Sequence, residues 1–219
     1  MKELLNQIRG IQGKLFSYNL GVVIVDDGSN PPIAKQNIPG LSIEWIRHSQ
    51  NRGKGAALKT GFNYFLTQDV DPIMTMDGDL QHPPEFIPEF LRKYETGEFD
   101  VIIGSRKKNP KVMPLHRIIS NTLTSLIISL LIGRFLHDSQ CGFRLYSREV
   151  MESIQPDENR FHLESEMLVR CGWKNFRIGH IPIPTIYNQA PSAIRNVSDT
   201  LNFITLIFKL VKERMIGNV

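Results

Sequence analysis

Several things are scarce in this sequence, and each scarcity excludes something. Only two of its 219 residues are cysteine, Cys141 and Cys171, and no metal-ligand spacing surrounds them. A disulfide scaffold and a zinc module are therefore excluded, and reduced thiols in a cytoplasmic chain are the default expectation, with a single disulfide still open. Charge of one sign is scarce as well. The net surplus of +4 is too small to argue for nucleic acid. It suits an anionic ligand such as a diphosphate, or an anionic membrane surface. The basic clusters at 106–111 and 209–214 fit either ligand contact or solvated faces. Internal repeats and low-complexity tracts are absent, so a disordered or solenoid chain is excluded. The first ten residues are polar and lack the apolar run of a signal peptide. No long hydrophobic run is clean enough for a clear membrane span. The most apolar stretch, 118–136, contains Ser120, Asn121, Thr122, Thr124, Ser125, Ser129 and Arg134. A span needs about 20 mostly apolar residues, so a buried or interfacial helix is expected there.

What is present is an alternation of strand and helix. Residues 20–25 form a β-branched run that ends in Asp26-Asp27-Gly28-Ser29, and 41–47 is a second strand. Residues 53–66 carry helical spacing. A third strand over 71–76 ends in Asp77, and Pro83-Pro84 opens a helix to about residue 94. A fourth strand over 100–103 ends in Gly104-Ser105-Arg106. The second half reads as a long helix over 116–135, either continuous or broken in two. Helices over 147–154 and 161–171, a strand over 175–181 and a terminal helix over 196–215 follow. The pattern predicts an α/β fold with a mostly parallel, doubly wound sheet. Ligands of such sheets bind beyond the carboxyl ends of the strands, so Asp26, Asp77, Asp79 and Arg106 should converge on one crevice. One domain is expected over 1–219, with a nucleotide-binding half (1–110), an acceptor-binding half (111–195) and a helix, 196–219, that can lie near a membrane.

Five constellations carry chemistry. In Asp77-Gly78-Asp79-Leu80-Gln81 two carboxylates flank a glycine at a strand end, and a carboxamide follows. Hard divalent cations take such oxygen ligands, completing their shell with phosphate. The same residues also suit a turn that caps the next helix. Asp26-Asp27 can accept hydrogen bonds from ribose or base, or can close a turn. Asn51-Arg52-Gly53-Lys54-Gly55 precedes a helix, where backbone N–H groups favour an anion, although the spacing is not that of a P-loop. Arg106 offers a rigid donor fork matched to phosphate, or is a surface arginine. In Asp138-Ser139-Gln140-Cys141-Gly142-Phe143-Arg144, Asp138 can orient an acceptor or take its proton, and Arg144 can pair with Asp138 or with phosphate. The alternative is a turn with a structural salt bridge.

These clusters, in this order, resemble glycosyltransferase family 2 with its GT-A fold over about residues 20–208. Within it the chain most resembles the polyprenyl-phosphate sugar synthases, such as the dolichyl-phosphate mannose and glucose synthases. The run Asp77-Gly78-Asp79-Leu80-Gln81-His82-Pro83-Pro84-Glu85 carries that likeness, as do 138–144, Phe161-His162-Leu163-Glu164-Ser165-Glu166 and 181–187. The resemblance implies that Asp26 and Asp27 contact the nucleoside and that Asp77 lies by ribose and metal. Asp77, Asp79 and Gln81 then ligate Mg²⁺ or Mn²⁺, and Lys54 lies near the nucleotide-sugar. Arg106 meets a phosphate, with Asp138 and Arg144 beside it as catalytic candidates. Family members carry a basic residue near the loop 187–192, where Arg195 is the nearest substitute. They also begin with a strand ending in Pro-x-Tyr-Asn-Glu, expected between the 20–25 and 71–76 strands, and this sequence opens on a helix instead. Loss of that strand would expose ladder groups, each costing about 1–3 kcal/mol if buried and unpaired. The start then lies upstream, or the chain is a truncated, non-catalytic remnant.

The implied reaction is inverting transfer of a sugar from a UDP- or GDP-sugar to a polyprenyl phosphate, by a cytoplasmic protein resting on the inner face of the cell membrane. Residues 123–132 and 201–211 are the candidate membrane contacts. A saccharide acceptor in surface-polysaccharide assembly is the alternative, and it would require Asp138 as a base.

Overall fold

The computed structural model describes residues 1–15, 17–186 and 196–217, with the backbone alone for 196–199. The chain opens with α1 (Lys2–Gln12), which buries Leu4, Leu5, Ile8 and Ile11 along one stripe. That is the 3.6-residue period of an amphipathic helix. Then come β1 (Gly21–Asp26), β2 (Ser42–Arg47), α2 (Lys54–Leu66) and β3 (Ile73–Thr75). A single 3₁₀ turn, Pro84–Phe86, leads into α3 (Ile87–Glu95), followed by β4 (Val101–Arg106). The second half comprises α4 (Leu115–Ile132), β5 (Arg144–Tyr146), α5 (Arg148–Ser153), α6 (Leu163–Trp173), β6 (Ile178–Ile183) and α7 (Asn196–Met215).

The described strands form a parallel pair and a four-stranded sheet, and in the larger sheet one strand runs against the grain. β1 and β2 pair in parallel from Gly21↔Ser42 to Asp26↔Arg47. The other four strands run in the order β3-β5-β4-β6. β5 is antiparallel to both its neighbours, whereas β4 and β6 are parallel. β3, β4 and β6 therefore share one direction, as β1 and β2 do within their own pair, and the carboxyl ends of these strands carry the approach to Asp77, Arg106, Asp26 and Arg47. Among the described residues no ladder joins β1 to β3, and α2 packs against both. Those two strands are the ones between which the family resemblance expects a further strand.

β5 is absent from the sequence reading, which took Arg144 as part of a turn. It is three residues long and begins with a charged side chain, so it offers neither strand length nor alternation. It is nonetheless central, and Arg144, Leu145 and Tyr146 are all buried. α4 is one unbroken helix, closed by Gly133 in the left-handed conformation (φ 66°).

α4 is also turned inside out relative to a soluble helix. Its buried positions are Asn121, Ser125, Ile128 and Ser129. The Asn121 amide donates to Asp138 (2.9 Å), and the Ser125 hydroxyl meets that of Ser139 (3.1 Å). Ser129 Oγ accepts from the Leu136 N–H (2.9 Å). Leu115, Ile119, Leu123, Leu126 and Leu130 face outward, and Leu130 is 75% exposed. Asn121, Ser125 and Ser129 thus serve the interior, whereas Ser120 and Thr122 are exposed, and the helix is long and apolar enough to cross a membrane by length and composition. α7 likewise exposes Leu201, Ile204 and Phe208, the last at 73%. The two helices meet near their C-terminal ends. There the Trp173 indole N–H donates to the Leu131 carbonyl, and the Arg214 guanidinium lies over the Trp173 ring.

Candidate functional site

The acidic pair stands just past β3. Thr75 fixes the strand end by donating its hydroxyl to the Gly142 carbonyl (2.8 Å). The Asp77 N–H donates to Nδ1 of buried His82 (3.0 Å), which leaves the ring proton on Nε2, 3.8 Å from Asp77 Oδ2. Burial lowers the His82 pKa, so the ring is neutral at pH 7. It stacks on Phe143 with centroids 5.6 Å apart. The turn continues through Leu80 at φ 64°, and exposed Asp79 accepts from the Gln81 N–H (3.0 Å). A buried histidine stacked on Phe143 therefore backs the acidic loop.

Lys54, at the start of α2, reaches across to this loop. Its ammonium lies 2.7 Å from Asp77 Oδ1 and 3.0 Å from Glu164 Oε2 on α6. Burial opposes the Lys54 charge, but the carboxylates of Glu164 and Asp77 outweigh it and raise its pKa. Burial would also raise Asp77, yet Lys54 foremost holds that carboxyl below the usual range, so it is ionised. The three charged groups close over Gly142. A Cβ there would stand 2.9 Å from Glu164 Oε1, 3.0 Å from Asp77 Oδ2 and 3.0 Å from Lys54 Nζ. Only glycine leaves that space to the side chains.

Arg106, at the end of β4, is the neighbouring cation, and its charge acts on both Asp77 and His82. Its guanidinium forks onto Asp138, with Nε to Oδ2 at 2.7 Å and Nη2 to Oδ1 at 3.0 Å. The side chain keeps 20% of its surface and Asp138 essentially none. Asp138, expected to orient an acceptor or take its proton, lies beneath the rim. It is fully buried, and its oxygens are taken by Arg106, Asn121 and the Gln140 N–H. Arg144, expected to pair with Asp138 or with phosphate, lies beneath the rim as well. It too is fully buried, and it donates to the carbonyls of Cys141, Ser139 and Glu164 and to the Tyr146 hydroxyl. Such a guanidinium welds 139–146 to α6 and has no surface left for a phosphate.

The nucleoside candidates are also engaged internally. Asp26 accepts from the N–H groups of Ser29 (2.9 Å) and Ile33 (3.2 Å) and pairs with Arg47, its register partner. The Ser29 N–H foremost lowers its carboxyl pKa to about 2. Asp27 accepts from the N–H groups of Arg52 (3.0 Å) and Gly53 (2.7 Å) and lies 2.7 Å from His48 Nδ1. The anion expected at the start of α2 is therefore supplied by the chain's own Asp27. Both cysteines are free and buried, and burial pushes each thiol up to about 12. The loop 187–192 and Arg195 lie outside the described residues.

The structure thus gathers Lys54, Asp77, Asp79 and Arg106 on one rim, with Asp26 and Asp27 in the neighbouring turn, and puts Asp138 and Arg144 beneath it. Glu164 and His82 were missed as site residues. The available signal was a helix, 161–171, that carries two acids among apolar neighbours. For a metal, the donor set is oxygen only: Asp77, Asp79 and the Gln81 carboxamide. That set fits a hard divalent cation, which commonly takes one or two carboxylates and fills its shell with phosphate and water. Among the described residues no group of three His, Cys, Asp or Glu side chains is placed to hold a metal ion.

Comparison with known proteins extends this. The model of the family described as Glycosyl transferase family 2 matches residues 1–155. A Methanococcus voltae protein named UDP-N-acetylglucosamine–dolichyl-phosphate N-acetylglucosaminyltransferase is 31% identical, over 95% of this chain and 91% of its own. The dolichyl-phosphate hexose transferase of Haloferax volcanii is 32% identical, over 74% of this chain and 68% of its own. Among solved structures, glucosyl-3-phosphoglycerate synthase of Mycobacterium tuberculosis, in complex with Mn²⁺, UDP-glucose and phosphoglyceric acid, aligns with a TM-score of 0.62. It shares 13% identity, over 93% of this chain and 82% of that one, a likeness of GT-A fold.

Proposed function

Because the chain belongs to glycosyl transferase family 2, we propose that it moves a sugar from a nucleoside-diphosphate sugar to a polyprenyl phosphate, with inversion. The observation that carries the acceptor is the M. voltae relative, named for a UDP-sugar donor and a dolichyl-phosphate acceptor and matched over nearly its full length. The donor diphosphate lies at the rim formed by Asp77, Asp79, Gln81 and Arg106. Asp77 and Asp79, with Gln81, hold Mg²⁺ or Mn²⁺, which when bound neutralises charge on the departing diphosphate. Asp26 and Asp27 shape the turn against which the nucleoside rests. Arg106, fixed by Asp138, presents its partly exposed guanidinium to a phosphate.

The burial of Asp138 bears on the acceptor class. A saccharide hydroxyl needs a base, and a carboxylate locked to Arg106 and Asn121 is poorly placed to be one. A phosphate monoester is anionic at neutral pH and attacks without one. The outward apolar faces of α4 and α7, with Arg117, Lys212 and Arg214 nearby, suit a peripheral seat on the membrane that holds such a lipid. Buried free thiols suit the reducing cytoplasmic side.

The test is a transfer assay with radiolabelled UDP-N-acetylglucosamine, UDP-glucose and GDP-mannose against dolichyl phosphate, undecaprenyl phosphate and soluble oligosaccharides. Label in the organic phase, dependent on lipid phosphate and on Mg²⁺ or Mn²⁺, is expected. Label only on the oligosaccharide would overturn the acceptor assignment.

A further inference from the structure

The Lys54 cluster is one positive charge short. Asp77 and Glu164 place two carboxylates on a single ammonium, and Arg106 is matched by Asp138. The deficit is localised. Glu164 is 8% exposed, and its Oε1 is buried without a hydrogen-bond partner among the described residues. That oxygen and Asp77 Oδ2 both lie about 3 Å from the one point above Gly142 that a side chain would fill. A buried acceptor left unpaired costs about 1–3 kcal/mol, so its persistence asks for a donor that arrives in another state of the site. Lys54 is that donor at hand. Its ammonium already bonds the other oxygen of the same carboxylate, and its long side chain needs only a small swing to release Asp77.

We propose that Lys54 is a tethered cation that holds Asp77 in place of the divalent ion and passes wholly to Glu164 when that ion binds. The idea rests on the metal reading of Asp77 and Asp79 above. Glu164 is then a positioning residue that acts on Asp77 through Lys54. Gly142 is the opening that lets the ammonium move, and α6 contributes to the metal site without touching the metal.

The test measures Mn²⁺ binding to the full chain in the presence of UDP by electron paramagnetic resonance of the free ion, with thermal melts as a check on folding. Lys54→Met removes the competitor and is expected to tighten Mn²⁺ about fivefold, the modest scale fitting a pair that is 25% and 34% exposed. Glu164→Gln removes the receiving carboxylate and leaves Lys54 on Asp77, so Mn²⁺ is expected to weaken by about the same factor. In the Lys54→Met background the Glu164→Gln effect should largely vanish, because its intermediary is gone. Equal losses in both backgrounds would overturn the proposal, as would weaker or unchanged binding in Lys54→Met. Should Glu164→Gln fail to fold, Lys54→Met alone decides. Failure of the metal reading looks different: the unmodified chain, and not only its variants, would bind no Mn²⁺ with UDP, and Asp77→Asn would change nothing.

Discussion

Replacing Asp138 by alanine separates a structural carboxylate from a catalytic one. The substitution removes the acceptor for Arg106 Nε and Nη2, the Asn121 amide and the Gln140 N–H. Removing one partner of a buried ion pair costs about 3–5 kcal/mol, and because Arg106 keeps some solvent contact we take the lower end, about 3 kcal/mol. For a chain of this size each kcal/mol lowers Tm by about 2–4 °C, so a fall of roughly 6–12 °C is expected by calorimetry. Assayed well below that melt, transfer should fall by no more than about tenfold, through a displaced Arg106. The pH dependence has a definite sign. Burial alone would raise the Asp138 carboxyl, but Arg106 outweighs it and depresses the folded pKa. The stabilisation is therefore complete above the unfolded value of about 4 and is lost as pH falls through the lower folded value. The deficit of the variant should be full at neutral pH and narrow below about pH 4. A Tm within about 1 °C of the parent, with kcat down a thousandfold or more, would refute this reasoning and restore Asp138 as a base.

Other perturbations have separable outcomes. Gly142→Ala should cost about 1 kcal/mol or less in stability, since the groups it meets are flexible side-chain ends, yet weaken donor binding at least about tenfold by spreading Lys54, Asp77 and Glu164; calorimetric titration with a UDP-sugar and Mn²⁺ reads this. Gly172→Ala is the converse. Its Cβ would lie 2.5 Å from Ile132 Cβ, where α6 abuts α4, so about 1–3 kcal/mol of stability should be lost with kcat unchanged below the melt. Leu130→Gln and Phe208→Gln should each weaken binding to vesicles containing anionic lipid by about five- to thirtyfold in a flotation assay, corresponding to about 1–2 kcal/mol of apolar burial, without lowering Tm.

How far the sequence discloses this molecule depends on the residue. β1, β4 and α2 are legible because their apolar runs end in turn residues, and Asp77-Gly78-Asp79 stands out because two acids flank a glycine just past a strand. β5 is not, since three residues starting with arginine carry no period. The contacts of Arg144 are hidden for the same reason: in sequence it pairs with Asp138 or a phosphate, or forms a structural salt bridge, whereas here its contacts are internal carbonyls and a hydroxyl. On α4 the serines and asparagine are visible in sequence, but which way they face depends on Asp138 and Ser139, distant until the chain folds. Glu164 is hidden in the same way, because its partner Lys54 is 110 positions away and only the crossing of α2 and α6 brings them together.

The most direct test of the central claim is the Asp79→Ala variant in the organic-phase transfer assay, across a range of Mg²⁺ and Mn²⁺ concentrations. Asp79 is exposed, and its carboxylate accepts from the nearby Gln81 N–H, so the variant should melt within about 2 °C of the parent. Metal-dependent transfer to the lipid phosphate should be abolished. Undiminished transfer, with unchanged dependence on the cation, would contradict the account.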